Sequence, residues 1–294
     1  MERIAATPHD ATMPTALAAA RYRQPSSLSL CQEIFDAAQK LWPRAHLKPP
    51  PELPAGTELP ACTETLEARH VAITALVGRA LADRGSAQVL ELGAGFTPRG
   101  LDMSQDPTVK NYVEFDLPPI SRLKRIVAGQ IAQRGLSPNP APNLQFAEGN
   151  ALDAEHVITA TEARLFTGQP LVVVAEGFLH YLCFNQRTKL LRILNGQLRR
   201  FPGSVLIADV PLVRPKPSPD DLLAAQVTPH AAAHRYQPTE FIDMFRRWGF
   251  ALVQFQNPQA TYADLSSPRQ PQALQQGIET IRADSFTFMW EHMG

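Results

Sequence analysis

The stretch QVLELGAG (residues 88–95), followed by NYVEFD (residues 111–116), decides the fold of this chain. The first segment reads as a strand that breaks into Gly93 and Gly95, and the second as a strand that ends on Asp116. Glycines carry no Cβ, so the backbone can approach a ligand closely. An acid at the tip of the neighbouring strand, 21 residues beyond Gly95 (116 minus 95), can reach a ribose diol. The pattern predicts a crevice that binds an adenosine-containing ligand.

The residues after the glycines indicate which adenosine compound binds. A dinucleotide-binding fingerprint needs a small residue three positions after the second glycine, so that the helix packs closely over a pyrophosphate. That position is Pro98, and its neighbours are bulky. We therefore predict a cofactor without phosphates, S-adenosyl-L-methionine, over a nicotinamide cofactor and its oxidoreductase chemistry. The structural alternative is an ordinary strand-to-helix turn, which Glu91 and the distal acids disfavour.

Composition narrows the classes of partner. Lys+Arg and Asp+Glu are both 28 among 294 residues, so the formal net charge is zero and does not indicate nucleic acid or an anionic membrane. The chain has no stretch approaching eighteen apolar residues and no apolar signal sequence at its N-terminus, so we expect neither a membrane span nor a leader. Three widely spaced cysteines predict reduced thiols in a cytoplasmic protein. The oligomeric state stays open.

Proline-rich segments divide the chain. Residues 1–62 are predicted to be an N-terminal extension, partly disordered to about residue 26, with a helix over 28–42 and then a proline-rich linker. Residues 63–294 form the ligand-binding domain, with a proline-rich lid insertion at about 211–238.

His230 and His234 lie in that insertion. Their i, i+4 spacing suits a metal on a helix, but no acid or third ligand lies between them, so no metal site is predicted. Either histidine could act as a general base.

Helices and strands alternate from residue 63 onward, which predicts an α/β fold with a largely parallel sheet and helices on both faces. Seven strands, the last two joined by a loop, are the Rossmann-like arrangement of a class I methyltransferase. The predicted strands are 88–92, 111–116, 143–147, 171–175, 204–208, 250–256 and 285–289. The predicted helices of this domain are 63–83, 120–133, 153–166, 185–201 and 238–248.

Four short segments resemble the leucine carboxyl methyltransferase family, whose bacterial members include O-methyltransferases of polyketide pathways. They are VLELGAG (89–95), VEFDLP (113–118), AEG (175–177) and YL (181–182), within a resemblance that covers roughly residues 63–209. The resemblance implies methyl transfer from S-adenosyl-L-methionine to a carboxylate or hydroxyl of a small molecule or peptide. A protein of this fold that binds the cofactor as a scaffold or sensor, without turnover, is the non-enzymatic alternative.

The resemblance also implies roles for single residues. Arg69, on the helix before the first strand, corresponds to the arginine that holds the cofactor carboxylate. Asp116 corresponds to the ribose ligand and Glu176 to the acid beside the methionine moiety. Asn150, followed by Ala151, stands where the family has an aspartate facing the adenine amino group. An amide oxygen accepts the same hydrogen bond without a charge, and Asp153 is a possible substitute.

Several of these residues have a plainer structural interpretation. Glu91 could orient either the glycine loop or the cofactor amine, or it could instead pair with a backbone N–H. Glu114 shares the face of Asp116, because side chains alternate along a strand, and is the alternative ribose ligand. Arg69 could instead be a solvated helix residue, and Tyr181 a core residue with its hydroxyl at the rim.

The acceptor atom is predicted from the need for a base. A carboxylate, with a pKa of about 4, is ionised at neutral pH, whereas a phenol, near 10, needs a base. We expect Tyr181 and Arg69 near the transferred methyl and no histidine from the core, so a carboxylate acceptor oriented by Tyr181 is predicted.

Overall fold

The computed structural model describes residues 16–17, 19–20, 30–41, 59–136, 141–210, 235–256 and 287–293. Within these ranges the chain forms a seven-stranded sheet in the order β3-β2-β1-β4-β5-β7-β6. The strands are β1 (Ala87–Leu92), β2 (Val109–Asp116), β3 (Leu144–Glu148), β4 (Leu171–Ala175), β5 (Val205–Asp209), β6 (Phe250–Gln256) and β7 (Thr287–His292). Neighbours are parallel except where β7 pairs antiparallel with β5 and β6. The predicted α/β fold with a mostly parallel sheet is confirmed.

Helices connect the strands close to the predicted positions. They are α1 (Cys31–Leu41), α2 (Leu59–Arg84), α3 (Arg99–Met103), α4 (Pro118–Gln133), α5 (Ala154–Glu162), a 3₁₀ helix (Phe178–Tyr181), α6 (Phe184–Leu198) and α7 (Pro238–Arg247). The prediction for 153–166 was too long, because Asp153 caps α5 and the helix ends at Glu162. The last strand lies two to three residues beyond its predicted bounds of 285–289.

Strand β4 is buried on both faces, which explains its uninterrupted apolar sequence. Val172 and Val174 pack in one core with residues of α1, α2 and α4. Val173 and Ala175 pack in the other core with residues of α5, α6 and α7. Helices therefore cover both faces of the sheet, and ligand access is left to its edges and ends.

The carboxyl ends of the parallel strands meet at one edge of the sheet. β1 has β2 on one side and β4 on the other, so the chain connections diverge at this point. Ligands of open α/β sheets bind in the crevice that such a switch point leaves. Leu92, Asp116, Ala175 and Asp209 end the four strands around it.

Parts of the sequence prediction fall outside the described ranges. These include most of residues 1–62 and the 211–238 insertion up to residue 234, with His230 and His234. The division of the chain at residue 62 stays a prediction. None of the helices in the described ranges is long and apolar enough to cross a membrane.

Candidate functional site

The loop after β1 is a tight glycine turn at the switch point. Gly93 has φ +61°, and its N–H donates to the Phe115 carbonyl at 2.8 Å. A Cβ at Gly93 would lie 2.8 Å from Cδ2 of Phe178. Position 93 therefore needs glycine both for its backbone conformation and for space. Gly95 also has positive φ, +49°.

Asp116 closes onto this turn from the tip of β2. Its carboxylate accepts the Gly95 N–H at 2.7 Å and the Leu117 N–H at 2.7 Å. Burial raises the pKa of Asp116, and the two hydrogen bonds oppose that rise. The half-buried carboxylate thus lies beside the turn, as predicted from the sequence. Its role as ribose ligand stays a prediction.

Glu114, the alternative ribose ligand, lies beneath the turn instead of in the crevice. It is 2% exposed, and its Oε2 is 2.7 Å from Nζ of Lys124 on α4. A Cβ at Gly100 would overlap the Glu114 carboxylate. Glu114 is therefore enclosed by α3 and α4, and the structure does not favour it as a ribose ligand.

Arg99 bridges two buried acids and was missed in the sequence analysis. Its guanidinium lies 2.5 Å from Oε1 of Glu91 and in very close contact with Glu176, and its Nε donates to Thr74 at 3.0 Å. Arg99 is 1% exposed. Its pKa is raised because attraction to Glu91 and Glu176 outweighs the effect of burial. Its position in the first turn after the glycines was the sole local signal, and nothing in the sequence indicated its partners.

Glu91 pairs with side chains and not with the backbone N–H considered above. It is fully buried and accepts hydrogen bonds from Arg99, from Tyr112 at 2.5 Å and from Thr97 at 3.4 Å. Burial and the adjacent Glu91 raise the pKa of Tyr112 well above its usual value. Glu91 thereby ties β1 to β2 and to the loop after the glycines. Direct contact with the cofactor stays a prediction.

Arg69, Glu176 and Asp209 form a second group of buried charges beside the first. Arg69 Nε lies 3.4 Å from Glu176 Oε1, and Arg69 Nη1 lies 3.2 Å from Asp209 Oδ2. Arg69 is 6% exposed, so the solvated-helix interpretation is wrong. Burial tends to raise the pKa of Asp209, but Arg69 and the His180 hydrogen bond outweigh it and lower the pKa to about 2. Asp209 is therefore ionised at neutral pH.

Two buried histidines belong to the same group, which corrects the expectation that the core supplies none. His180 Nε2 lies 3.0 Å from Asp209 Oδ2, and His180 is 2% exposed. His70 Nδ1 lies 3.1 Å from Glu176 Oε2 and 2.9 Å from Arg99 Nη2. His70 comes directly after Arg69 in the sequence, and His180 directly before Tyr181. Because each histidine adjoins a predicted site residue in the sequence, that proximity was the signal that could have identified them.

The remaining predicted residues lie on the loops around the crevice. Tyr181 ends the 3₁₀ helix after β4 and is half-buried. Asn150 follows β3, and its Oδ1 accepts the Leu152 N–H at 2.9 Å, while Ala151 is buried. Asp153 accepts the N–H groups of residues 155 and 156 as the cap of α5. Both side chains therefore have partners on their own loop, and both assignments as the adenine contact stay predictions.

The charges of this site suit an amino-acid ligand more than a metal ion. Among the described residues, no group of three or more His, Cys, Asp or Glu side chains could hold a metal. An amino acid carries an ammonium and a carboxylate, and Glu176 and Arg69 present the complementary charges side by side. That the methionine moiety of S-adenosyl-L-methionine binds here, with the adenosine along the glycine turn, stays a prediction.

The sheet with an antiparallel β7, the glycine turn after β1 and the acids at the strand ends define a class I methyltransferase that uses S-adenosyl-L-methionine. A family model for leucine carboxyl methyltransferases matches residues 11–195. The chain belongs to this family, which confirms the resemblance found in the sequence.

Solved structures share the fold at low sequence identity. A DUF574 family protein from Streptomyces avermitilis MA-4680 is 15% identical with a TM-score of 0.57, and the match covers 95% of this chain and 97% of that chain. A candidate methyltransferase from Thermobifida fusca YX is 16% identical with a TM-score of 0.55, covering 97% and 94%. Such identities show the fold alone. No curated protein matches the chain in sequence.

Proposed function

We propose that this enzyme methylates an oxygen of a small-molecule or peptide substrate and that the oxygen belongs to a carboxylate. The observation that carries the proposal is the family match, whose description names a carboxyl methyltransferase. A carboxylate is ionised at neutral pH and needs no base to attack the methyl group. The two buried histidines are each paired with an acid, His180 with Asp209 at 3.0 Å and His70 with Glu176 at 3.1 Å, and the carboxylate proposal assigns neither of them a proton transfer.

The residues of the crevice bind and orient the reactants in this proposal. The cofactor supplies a methyl group already activated on a sulfonium. Arg69 and Glu176 hold its amino-acid end, Asp116 its ribose, and Asn150 with Ala151 its adenine. Tyr181 orients the acceptor carboxylate. Alignment of nucleophile, methyl and sulfur can supply most of the rate acceleration.

The acceptor is tested by the stability of the product. The protein is incubated with methyl-labelled S-adenosyl-L-methionine and separate pools of carboxylic acids and phenols, and the labelled product is treated with mild alkali. An ester releases volatile labelled methanol, whereas an ether keeps its label. Tyr181→Phe should lower turnover of the acid pool while leaving the Kd for S-adenosylhomocysteine unchanged. An alkali-stable label would refute the carboxylate proposal.

A second candidate, methylation of a hydroxyl, is favoured by the His180–Asp209 contact. An imidazole paired with an ionised carboxylate can accept the proton of a hydroxyl nucleophile. In that case the label is alkali-stable, and His180→Gln abolishes turnover without changing the Kd for S-adenosylhomocysteine. Tight cofactor binding without methyl transfer to either pool would favour the scaffold or sensor alternative.

A further inference from the structure

A lysine–glutamate pair is buried directly beneath the glycine turn. Glu114 lies on β2 and Lys124 on α4, and they are 2% and 3% exposed. The Lys124 ammonium is 2.7 Å from Glu114 Oε2. Taking two charged groups out of water is costly, so a pair in this position requires that each partner stabilises the other. Neither residue has a role in the methyl transfer described above.

The pair is connected to the turn through Lys124. Its Nζ lies 3.5 Å from the carbonyl oxygen of Ala94, the residue between the two glycines. The Gly95 N–H, on the other side of the same turn, donates to Asp116 at 2.7 Å. The Lys124 ammonium thus contacts the carbonyl of the turn, and the Asp116 carboxylate accepts its N–H. Together they stabilise the turn from both sides.

Glu114 also determines how closely α3 approaches the sheet. An added Cβ at Gly100, the second residue of α3, would lie 2.8 Å from Glu114 Cδ and would overlap Oε1. The first turn of α3 therefore rests on the Glu114 carboxylate. This turn carries Arg99, which binds Glu91 and Glu176. A substitution at Glu114 would therefore alter both the glycine turn and the position of Arg99.

We propose that Glu114 and Lys124 are a positioning pair for the cofactor. When Glu114 is ionised, the pair holds the glycine turn in the geometry that binds S-adenosyl-L-methionine, and when Glu114 takes up a proton this hold weakens. The inference rests on the proposed assignment of the glycine turn to cofactor binding.

Because of the groups that face it, Glu114 is expected to take up its proton near neutral pH. Its register partner on β1 is Glu91, Tyr112 and Asp116 lie on the same face of β2, and Lys124 approaches from α4. The contact from α3 is the uncharged Gly100. Burial raises the pKa of Glu114 to about 7, with Lys124 opposing the rise and the two neighbouring acids adding to it.

The experiment measures the Kd of S-adenosylhomocysteine by calorimetry between pH 5.5 and 8.5, for the wild type and Glu114→Gln. Glutamine keeps the shape of the side chain and resembles the protonated acid. We expect Glu114→Gln to bind about tenfold more weakly than the wild type at pH 8.5, a difference of about 1.4 kcal/mol. At pH 5.5 the two proteins should bind alike. A merely structural role would instead lower affinity equally at every pH.

The matched control is Glu162→Gln, which removes an exposed acid paired with Arg200 at 2.8 Å on another part of the surface. Its Kd should follow the wild type at every pH. Equal affinity of Glu114→Gln and the wild type throughout, or a pH-independent difference between them, would overturn the positioning pair while leaving the cofactor site intact. Failure of the wild type to bind S-adenosylhomocysteine at any pH would instead refute the assignment of the glycine turn itself.

Discussion

The replacement Arg99→Met tests the charge network that the structure places at the centre of the site. Methionine fills much of the same volume but removes the cation between Glu91 and Glu176, which are 0% and 7% exposed. Removing one partner of a buried ion pair costs about 3–5 kcal/mol, because a charge is left uncompensated. Both acids keep other partners, namely Tyr112 and Thr97 for Glu91 and Arg69 and His70 for Glu176. We therefore expect Arg99→Met to lower the free energy of unfolding by about 3 kcal/mol, the lower end of this range.

Urea denaturation, followed by far-UV circular dichroism, measures the effect. The matched control is Arg122→Met, since Arg122 has a 62% exposed side chain and pairs with Glu148 on the surface. Such pairs contribute about 0–1 kcal/mol. The loss in free energy of unfolding for Arg99→Lys should lie between those of Arg99→Met and Arg122→Met. An ammonium is a point charge and cannot contact both acids as the planar guanidinium does. A loss of less than about 1 kcal/mol for Arg99→Met, equal to that of the control, would refute the bridging role.

Three further predictions concern the cofactor and pH. Asp116→Ala should weaken S-adenosylhomocysteine binding by about 1.5–3 kcal/mol in calorimetry, as for hydrogen bonds to a charged group, and an unchanged Kd would remove Asp116 from the site. Arg69→Lys should also bind more weakly, since one ammonium cannot replace a guanidinium that reaches both Glu176 and Asp209; affinity equal to the wild type would contradict the assignment. Glu114 has its folded-state pKa raised from 4.5 to about 7, so the stability contributed by its protonated form is lost as pH rises through 7. The free energy of unfolding of Glu114→Gln should consequently rise relative to the wild type between pH 5 and 8, by up to about 3 kcal/mol, and a constant difference would refute the shift.

Local patterns were sufficient to predict most of the secondary structure. The strand predicted at 171–175 has the bounds found in the structure, because five apolar residues in succession suit a strand buried on both faces. The glycine turn was predicted because positions 93 and 95 need backbone freedom that depends on the immediate neighbours. The helix predicted at 153–166 was too long, since the sequence pattern did not show that helix α5 ends at Glu162.

Contacts between distant residues were beyond the reach of those patterns. Arg69 and Asp209 are 140 residues apart in sequence, and Arg99 and Glu176 are 77 apart. The family resemblance indicated Arg69 and Glu176 as ligands but did not show that they pair with each other. Neither Arg99 nor His180 was assigned a role from the sequence. Each is held by an acid at the carboxyl end of a strand: Arg99 by Glu176 after β4, and His180 by Asp209 at the end of β5.

The sequence by itself determined the order of helices and strands, the glycine turn and the acid at the tip of β2, because each depends on residues adjacent in the chain. The tertiary structure decided which ionisable side chains meet. Parallel strands bring their carboxyl ends to one edge, where Glu176 after β4 and Asp209 at the end of β5 converge on Arg69 from α2. Burial then sets their charge states: Asp209 stays ionised beside its cation, while Glu114, crowded by Glu91 and Asp116, holds its proton up to about pH 7. Those states depend on three-dimensional proximity and exclusion of water, which no local pattern of residues encodes.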